Sequence, residues 1–331
     1  MIHFEEIKGT PKYRQLILAI TKSIENKTLK KGDQLPSINS ICNDFKLSRD
    51  TVMIAFNELK AKGIIYSTPG KGYFVKSTKI EERRNIFLLF DELNAFKEDL
   101  YNSFLENIGQ NDNVEIYFHH FNRQVFEKLI LENATKFTHY VIMPAMFEKL
   151  DNILKYLPSE KIYILDQSKE ELQGLYSAVY QNFSKDVFSA LTSGLDLLEK
   201  YRKLILVFPG GKEPKGQLIG FKEFCNEWKG EWEVISSPTG RTISEGEVYI
   251  MPNDRHLVYL VKEAKRLSLK IGTQIGLISY NDTPLKEVVA GGITTISTDF
   301  SLMGKTLAEL LQGKKRLEIE NPSQLIRRAS L

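Results

Sequence analysis

The sequence has few of the residues that build disulfide-rich, low-complexity or membrane-spanning proteins. Its two cysteines, Cys42 and Cys225, lie far apart with no second cysteine near either. This spacing excludes a disulfide scaffold and a cysteine-rich zinc module. With 21 glycines and 11 prolines among 331 residues, 42% hydrophobic and 26% charged residues, the composition is that of an ordinary globular protein.

Long apolar runs are also missing. The run Ile86 to Phe90 is much shorter than the roughly 18 residues that a membrane span requires. Residues 1–6 lack the basic and apolar parts of a secretory signal. We therefore expect a cytoplasmic protein that has no membrane partner.

Charge divides the chain into two parts. Residues 1–84 hold 16 basic and 9 acidic side chains, whereas residues 85–331 hold 29 basic and 33 acidic ones. A basic head on a mildly acidic body is typical of proteins in which only the head meets a polyanion.

The pattern of the first 76 residues predicts three short helices followed by a hairpin. Ser37 and Ser48 are suited to cap the second and third helices, and Gly63 is suited to end the third. Residues 64–75 then contain two short apolar runs around a Pro-Gly-Lys-Gly turn. These elements predict a winged helix-turn-helix over residues 1–76.

The beginning of the third helix suits contact with DNA. Arg49, Asp50 and Met53 share its outward face, and a helix N-terminus attracts phosphate. Gly72 allows the hairpin tip to approach a duplex closely, and Lys71 supplies positive charge. A compact helical domain without a nucleic acid partner is the alternative interpretation.

Four stretches of this head resemble the DNA-binding domain of GntR-type regulators. They are Leu35–Ser37, Leu47–Val52, Leu59–Ile64 and Gly70–Val75, in the same order as in the family. Family members often carry Arg where this chain has Asn39 and Met53, so we expect a different operator sequence. The resulting set of predicted DNA contacts is Ser37, Asn39, Ser48, Arg49, Asp50, Thr51, Met53, Lys71 and Gly72.

After a polar linker at residues 77–85, strand-like runs alternate with amphipathic helices to the end of the chain. This alternation favours parallel sheets in α/β layers, and residues 86–331 are long enough for two similar lobes. The predicted strands are 86–90, 114–118, 139–143, 161–165, 203–208, 248–251, 274–279 and 293–297. Helices are predicted near 94, 123, 147–157, 185–200, 217–228, 255–267 and 302–311.

Polar side chains follow several of these strands. Asp91, Asp166, Asn253 and Asn281 each come directly after an apolar run, where ligands bind in such sheets. Carboxylates and amides beside aromatic rings suit neutral polyols. A turn or helix-capping role is the alternative for each residue, and for Asn253 and Asp282 in particular.

Residues 85–331 resemble the LacI-type, periplasmic-binding-protein-like effector domain. The best-matching stretches are 217–221, 251–254, 272–284 and 294–304. The resemblance places Asp91, Gln217, Asn253, Asn281 and Thr298 at effector-contacting positions. The family usually has Arg at the Gln217 position and Asp at the Asn281 position, and we assign the lost positive charge to Lys215. The predicted effector set is Asp91, Asp166, Lys215, Gln217, Asn253, Asn281, Asp282 and Thr298.

Enzymatic motifs are missing. The sequence contains no nucleophile elbow, no H-E-x-x-H pair and no dinucleotide fingerprint, and the loop at 211–217 lacks the residues of a phosphate loop. We therefore expect no enzymatic activity, no cofactor and no metal site, and we interpret Arg327 and Arg328 as a solvated tail.

Together these features predict a homodimeric, DNA-binding transcriptional repressor that responds to a monosaccharide or a sugar phosphate. Two alternatives remain open at this stage. One is a winged-helix head fused to an aminotransferase-like enzyme, and the other is a sugar-binding module that does not bind DNA.

Overall fold

A computed structural model describes residues 2–4, 11–78, 84–167, 170–313 and 315–331. The chain forms two compact units. Unit 1 consists of 1–90, 108–142 and 150–163, and unit 2 consists of 91–107, 143–149 and 164–331. None of the helices within the described ranges combines the length and apolar character needed to cross a membrane.

The N-terminal head belongs to unit 1 and has the predicted order of elements. These are α1 (Lys12–Glu25), α2 (Ile38–Phe45), α3 (Arg49–Ala61), β1 (Ile65–Thr68) and β2 (Gly72–Val75). Strands β1 and β2 pair antiparallel, and one core of buried apolar side chains joins the three helices to this hairpin. The predicted linker at 77–85 lies partly outside the described residues, because 79–83 are not among them.

The rest of the described chain forms an α/β body. Its strands are β3 (Asn85–Phe90), β4 (Asn113–Phe118), β5 (His139–Ile142), β6 (Ile162–Gln167), β7 (Ser177–Gln181), β8 (Lys203–Val207), β9 (Glu231–Ile235), β10 (Glu247–Met251), β11 (Ile275–Tyr280), β12 (Thr294–Thr298), β13 (Glu318–Glu320) and β14 (Ser323–Ile326). Its helices are α4 (Ala95–Asn107), α5 (Arg123–Asn133), α6 (Asp151–Leu154), α7 (Phe183–Ser193), α8 (Leu195–Leu198), α9 (Lys215–Glu227), α10 (Asp254–Arg266), α11 (Pro284–Val288) and α12 (Phe300–Gln312).

Among these described strands there are two six-stranded sheets. One has the order β13-β7-β6-β5-β3-β4 and the other the order β14-β12-β11-β10-β8-β9. Every pairing in the second sheet is parallel except that of β12 with β14. Strands of both sheets alternate along the chain with helices, which confirms the predicted α/β architecture. Buried apolar strands of this kind need helices on both faces of the sheet.

Several element predictions were wrong in length or missed. The predicted helix at 147–157 is reduced to the four residues of α6, and the one at 185–200 is divided at Gly194 into α7 and α8. A side chain at Gly194 would lie 2.6 Å from the Leu325 side chain. Strands β7, β9, β13 and β14 were not predicted.

Candidate DNA interface and effector site

The start of α3 is exposed and capped as the sequence predicts. Ser48 Oγ accepts a hydrogen bond from the Thr51 amide at 3.2 Å and lies 2.8 Å from Thr51 Oγ1. Arg49 donates to Asn39 Oδ1 at 3.1 Å, so two of the predicted DNA contacts touch each other across α2 and α3. Asp50 is exposed.

Two other predicted contacts have roles in the head itself. Ser37 caps α2 by accepting from the Ser40 amide at 3.1 Å, although it remains exposed. Met53 is half-buried and therefore presents only part of its side chain outward. The helix-turn-helix geometry thus leaves Arg49 as an exposed positive charge at the N-terminal turn of α3.

The tip of the hairpin is held by a side chain from outside it. Gln34 Nε2 donates to the Lys71 carbonyl at 2.6 Å, while the Lys71 residue itself is exposed. Gly72 has a φ of 104°, a conformation that side-chain-bearing residues rarely adopt. The wing is therefore a fixed loop that carries one exposed cation.

Two predicted effector residues have left-handed backbone. Asp166, within β6, has a φ of 74°, and Asn281, directly after β11, has a φ of 60°. Asp and Asn tolerate this conformation better than other side-chain-bearing residues, yet it costs energy and is concentrated at ligand sites. Among the described residues, no group donates to the buried Asn281 Oδ1.

A polar cluster surrounds the buried Tyr280 ring, and we call it the Tyr280 cluster. It consists of Tyr280, Asp166, Gln181, Asp186 and Gln217. Gln181 donates to Asp166 Oδ1 at 2.5 Å, and Gln217 lies beside the tyrosine hydroxyl. Burial, and then the carboxylates of Asp186 and Asp166, raise the pKa of Tyr280. The structure thus brings together the predicted residues Asp166 and Gln217.

The Asp186 carboxylate is a buried member of this cluster. Only 7% of the residue is exposed, and among the described residues nothing donates to its Oδ2. Burial first, and the nearby Glu320 carboxylate second, raise the pKa of Asp186 to about 7. Lys185 opposes this effect, although it forms its own ion pair with Glu320 at 2.5 Å.

The buried Lys286 contacts the end of β11 and the segment that follows β10. Lys286 Nζ donates to the carbonyls of Tyr280 and Asn281 at 2.9 and 2.7 Å and forms an ion pair with Asp254 at 3.0 Å. Burial lowers the pKa of Lys286, and Asp254 opposes that shift. The ammonium group therefore fixes the backbone at Asn281.

The side chains of Asp91 and Asn253 already have partners within the protein. Asp91 forms a buried ion pair with Lys97, and its Oδ1 also accepts from the Glu92 amide at 2.6 Å. Asn253 caps α10 by accepting from the Arg255 amide at 2.8 Å. Asn253 is therefore a helix cap in this structure, as the alternative interpretation states.

Asp282 does not cap a helix. Its two oxygens accept from Arg328 at 2.6 and 2.7 Å, and Oδ1 also accepts from Thr295. Burial would raise the pKa of Asp282, but Arg328 and Thr295 lower it below its usual value. The interpretation of Arg328 as part of a solvated tail was therefore wrong, because β14 returns this residue to the sheet.

Asp282 and Thr298 line a cavity of 450 Å³ in unit 2. Thr298 Oγ1 donates to the Pro322 carbonyl at 3.0 Å and accepts from Asn321 at 2.8 Å. Neither Tyr280 nor any of the other predicted effector residues lines this cavity. The structure therefore separates these two residues from the Tyr280 cluster.

Lys215 lies on a second, larger cavity of 740 Å³ in unit 2. Its side chain is 88% exposed and lies 4.0 Å from Glu148. Gln181 lines this cavity as well, together with aromatic side chains of Tyr180, Phe183 and Phe208. The larger cavity therefore adjoins the Tyr280 cluster through Gln181.

Sequence reasoning missed Gln181, Asp186, Lys286 and Arg328. The only local signal was the position of Gln181 at the end of an apolar run that was not assigned as a strand. Among the described residues, no three His, Cys, Asp or Glu side chains are arranged to hold a metal ion.

Comparison with known proteins finds a family match for two parts of the chain. Residues 12–75 match the family described as bacterial regulatory proteins, gntR family, and residues 204–331 match the periplasmic binding protein-like domain. The arabinose metabolism transcriptional repressor of Geobacillus stearothermophilus is 38% identical over 76 residues, which cover 23% of this chain and 21% of that protein. The first three curated relatives are matched over only 14% to 21% of their own length.

Solved structures resemble about three quarters of the chain. A LacI family transcriptional regulator from Silicibacter pomeroyi has a TM-score of 0.61 at 14% identity, covering 75% of this chain and 98% of the other. A LacI family regulator from Enterococcus faecium, with bound ribose, has a TM-score of 0.58 at 19% identity, covering 74% and 98%. At this identity the likeness shows the fold alone.

Proposed function

Because the chain carries a GntR-family DNA-binding domain followed by a periplasmic-binding-protein-like domain, we propose that it is a cytoplasmic transcriptional repressor controlled by a small molecule. The observation that supports DNA binding most directly is the exposed, Ser48-capped start of α3 with Arg49 beside it. An exposed helix N-terminus with a guanidinium suits both phosphate and base-edge contacts.

The predicted DNA contacts are proposed to act as one surface. In a homodimer, two copies of α3 would enter successive major grooves at half-sites related by twofold symmetry. The wing, with Lys71 at its tip, would contact the neighbouring phosphates. Asn39, which accepts from Arg49, would orient the guanidinium.

The proposed effector is a neutral monosaccharide in preference to a sugar phosphate. The Tyr280 cluster presents the carboxylates of Asp166 and Asp186 and the amides of Gln181 and Gln217. Such oxygens accept hydrogen bonds from sugar hydroxyls, whereas the Asp166 carboxylate, joined by Asp186 once it ionises above its pKa of about 7, repels a phosphate. The ribose bound by one structural neighbour supports the same class of ligand. A ligand that couples to the heads by about 1–3 kcal/mol would change operator affinity about 5- to 150-fold.

Arg49→Ala is expected to weaken binding to a duplex taken from upstream of the gene by about tenfold, since a good side-chain contact to DNA contributes roughly 1–3 kcal/mol. Fluorescence anisotropy titrations at two salt concentrations measure the affinity and its salt dependence. If Arg49 contacts a phosphate, the slope of log K against log salt becomes shallower by about one.

Lys60→Ala is the matched control, because Lys60 is exposed on the last turn of the same helix. It removes an equal charge away from the proposed interface and is expected to change the affinity much less. Equal effects of the two variants would indicate a general loss of charge. An Arg49→Ala protein that binds as tightly as the parent would contradict the proposed interface.

For the effector, we expect D-ribose, L-arabinose or D-glucose to raise the melting temperature and glucose 6-phosphate to have little effect. Binding at 100 times Kd adds about 2.7 kcal/mol to the free energy of unfolding. Asn253→Ala should abolish this ligand-dependent shift. Asn122→Ala controls for the lost helix cap, because Asn122 caps α5 in the same way. A sugar response that survives Asn253→Ala would remove Asn253 from the site.

A further inference from the structure

The DNA-binding head packs against residues 85 and 160–161 of unit 1, in part through the C-terminal half of α3. The Glu58 carboxylate lies between Lys161 at 3.1 Å and Lys62 at 3.0 Å. The side chains of Glu58 and Lys161 are only 12% and 18% exposed. Burial would raise the pKa of Glu58, yet the two lysines lower it, as a close ion pair does.

Two more contacts surround this ion pair. Glu160 accepts from Arg14 at 2.9 Å and from the Tyr13 hydroxyl at 3.2 Å, both on α1. At the end of α3, the Asn85 side-chain amide donates to the Ala61 carbonyl. A helix leaves its last carbonyls without partners, so this amide satisfies one of them.

These contacts leave the DNA-facing surface open. Arg49 and Lys71 remain exposed while Glu58, further along the same helix as Arg49, is covered. The contact therefore fixes the orientation of the head without hiding its proposed interface. A purely inhibitory contact would be expected to cover the N-terminal turn of α3.

Strand β6 connects this contact to the effector site. Lys161 directly precedes β6, and Asp166 lies near the other end of the same strand. At about 3.3 Å per residue, roughly 17 Å of extended chain separates them. The strand begins in unit 1 and ends in unit 2, so the covalent chain itself passes from the head contact to the Tyr280 cluster.

We propose that Asn85, Glu160 and Lys161 form a docking surface for the DNA-binding head, and that β6 makes the orientation of the head depend on the effector site. The second part rests on the proposed function, whereas the docking surface does not. The occupant is α1 and α3 of this same chain.

Time-resolved fluorescence anisotropy of the full chain tests the docking surface. A dye is attached to Lys31→Cys, an exposed head position, in a Cys42→Ser background. Lys161→Glu is expected to raise the amplitude of the nanosecond component about twofold or more, because an undocked head tumbles independently. The reciprocal variant Glu58→Lys with Lys161→Glu restores the attraction and should return the decay to that of the parent.

Glu132→Lys is the matched control, since it reverses a charge facing Lys128 on α5. It is expected to leave the decay unchanged. An unchanged decay in Lys161→Glu, or a reciprocal variant that remains as mobile as the single one, would overturn the docking surface. Neither DNA nor effector is present, so this result is independent of the proposed function.

The role of β6 is tested in the same assay. Asp166→Ala cannot bond Gln181 and is strained at a φ of 74°, so the strand end must shift. We expect a larger nanosecond component although no docking residue is changed. Ser268→Ala is the control, because this exposed left-handed residue follows α10, which does not lead to Lys161. Equal decays for Asp166→Ala and the parent would refute transmission through β6.

Discussion

Lys97→Ala is expected to lower the free energy of unfolding by about 3–5 kcal/mol, the cost of breaking a buried ion pair by removing one partner. Asp91 and Lys97 are 3% and 5% exposed, so the Asp91 carboxylate would be left in a nonpolar setting without its cation. Urea denaturation followed by circular dichroism measures the change.

The double variant Asp91→Asn with Lys97→Met is expected to recover most of this loss. It leaves no buried charge, while the side-chain oxygen of the introduced asparagine can still accept from the Glu92 amide. Lys128→Ala provides the surface comparison. Its pair with Glu132 is 3.8 Å long and largely exposed, so the expected change is below about 0.5 kcal/mol. Equal losses in Lys97→Ala and Lys128→Ala would contradict the buried pair.

Asp186→Asn is expected to stabilise the protein, and more so as the pH rises. The pKa of Asp186 is raised from 3.8 to about 7, so the folded state holds this proton more tightly than the unfolded state does. The parent therefore loses stability as the pH increases from 4 through 7, and the asparagine variant escapes that loss. Its advantage should grow by about 3 kcal/mol between pH 5 and pH 8.

Melting temperatures of parent and variant at these two pH values measure the effect. The groups that face Asp186 are Glu320, Lys185 and the Tyr280 hydroxyl. Asp196→Asn is the control, because the Asp196 side chain is 61% exposed in its pair with Arg327. An advantage of Asp186→Asn that is the same at pH 5 and pH 8 would show that burial does not perturb this carboxylate.

Local chemistry made the head and the main strands predictable. Ser37 and Ser48 were predicted as caps because a short polar side chain before an apolar stripe satisfies orphan amides wherever the helix lies. Apolar runs such as β3 and β11 were predictable because strands covered on both faces need continuous hydrophobic sequence. The positions of Asp91, Asn253 and Asn281 after strands followed directly from these runs.

Long-range partners could not be predicted in this way. Arg328 and Asp282 are 46 residues apart, and nothing near either one in sequence marks the other. Strand β14 is a short edge strand with weak apolar character, so the return of Arg328 to the sheet gave no signal. Asp186 and Lys286 were missed for the same reason, since their burial depends on elements distant in sequence.

The position of a polar residue after a strand was predictable, but whether its side chain is already paired with another group was not. Asp91 and Asp282 both follow strands as expected, yet each is neutralised by a cation, Lys97 in one case and Arg328 in the other. The sequence showed the carboxylates but not the counter-charges. Asp166 and Gln217 are the predicted residues that the fold gathers around one buried ring.

The alternation of chain segments between unit 1 and unit 2 has a practical consequence. Because the backbone passes from one unit to the other five times, no single cut liberates either unit as an intact fragment. The head is different, since its core closes by Val75. Dissection of this molecule by deletion should therefore yield one self-sufficient piece, the head, and a remainder that has to be studied whole.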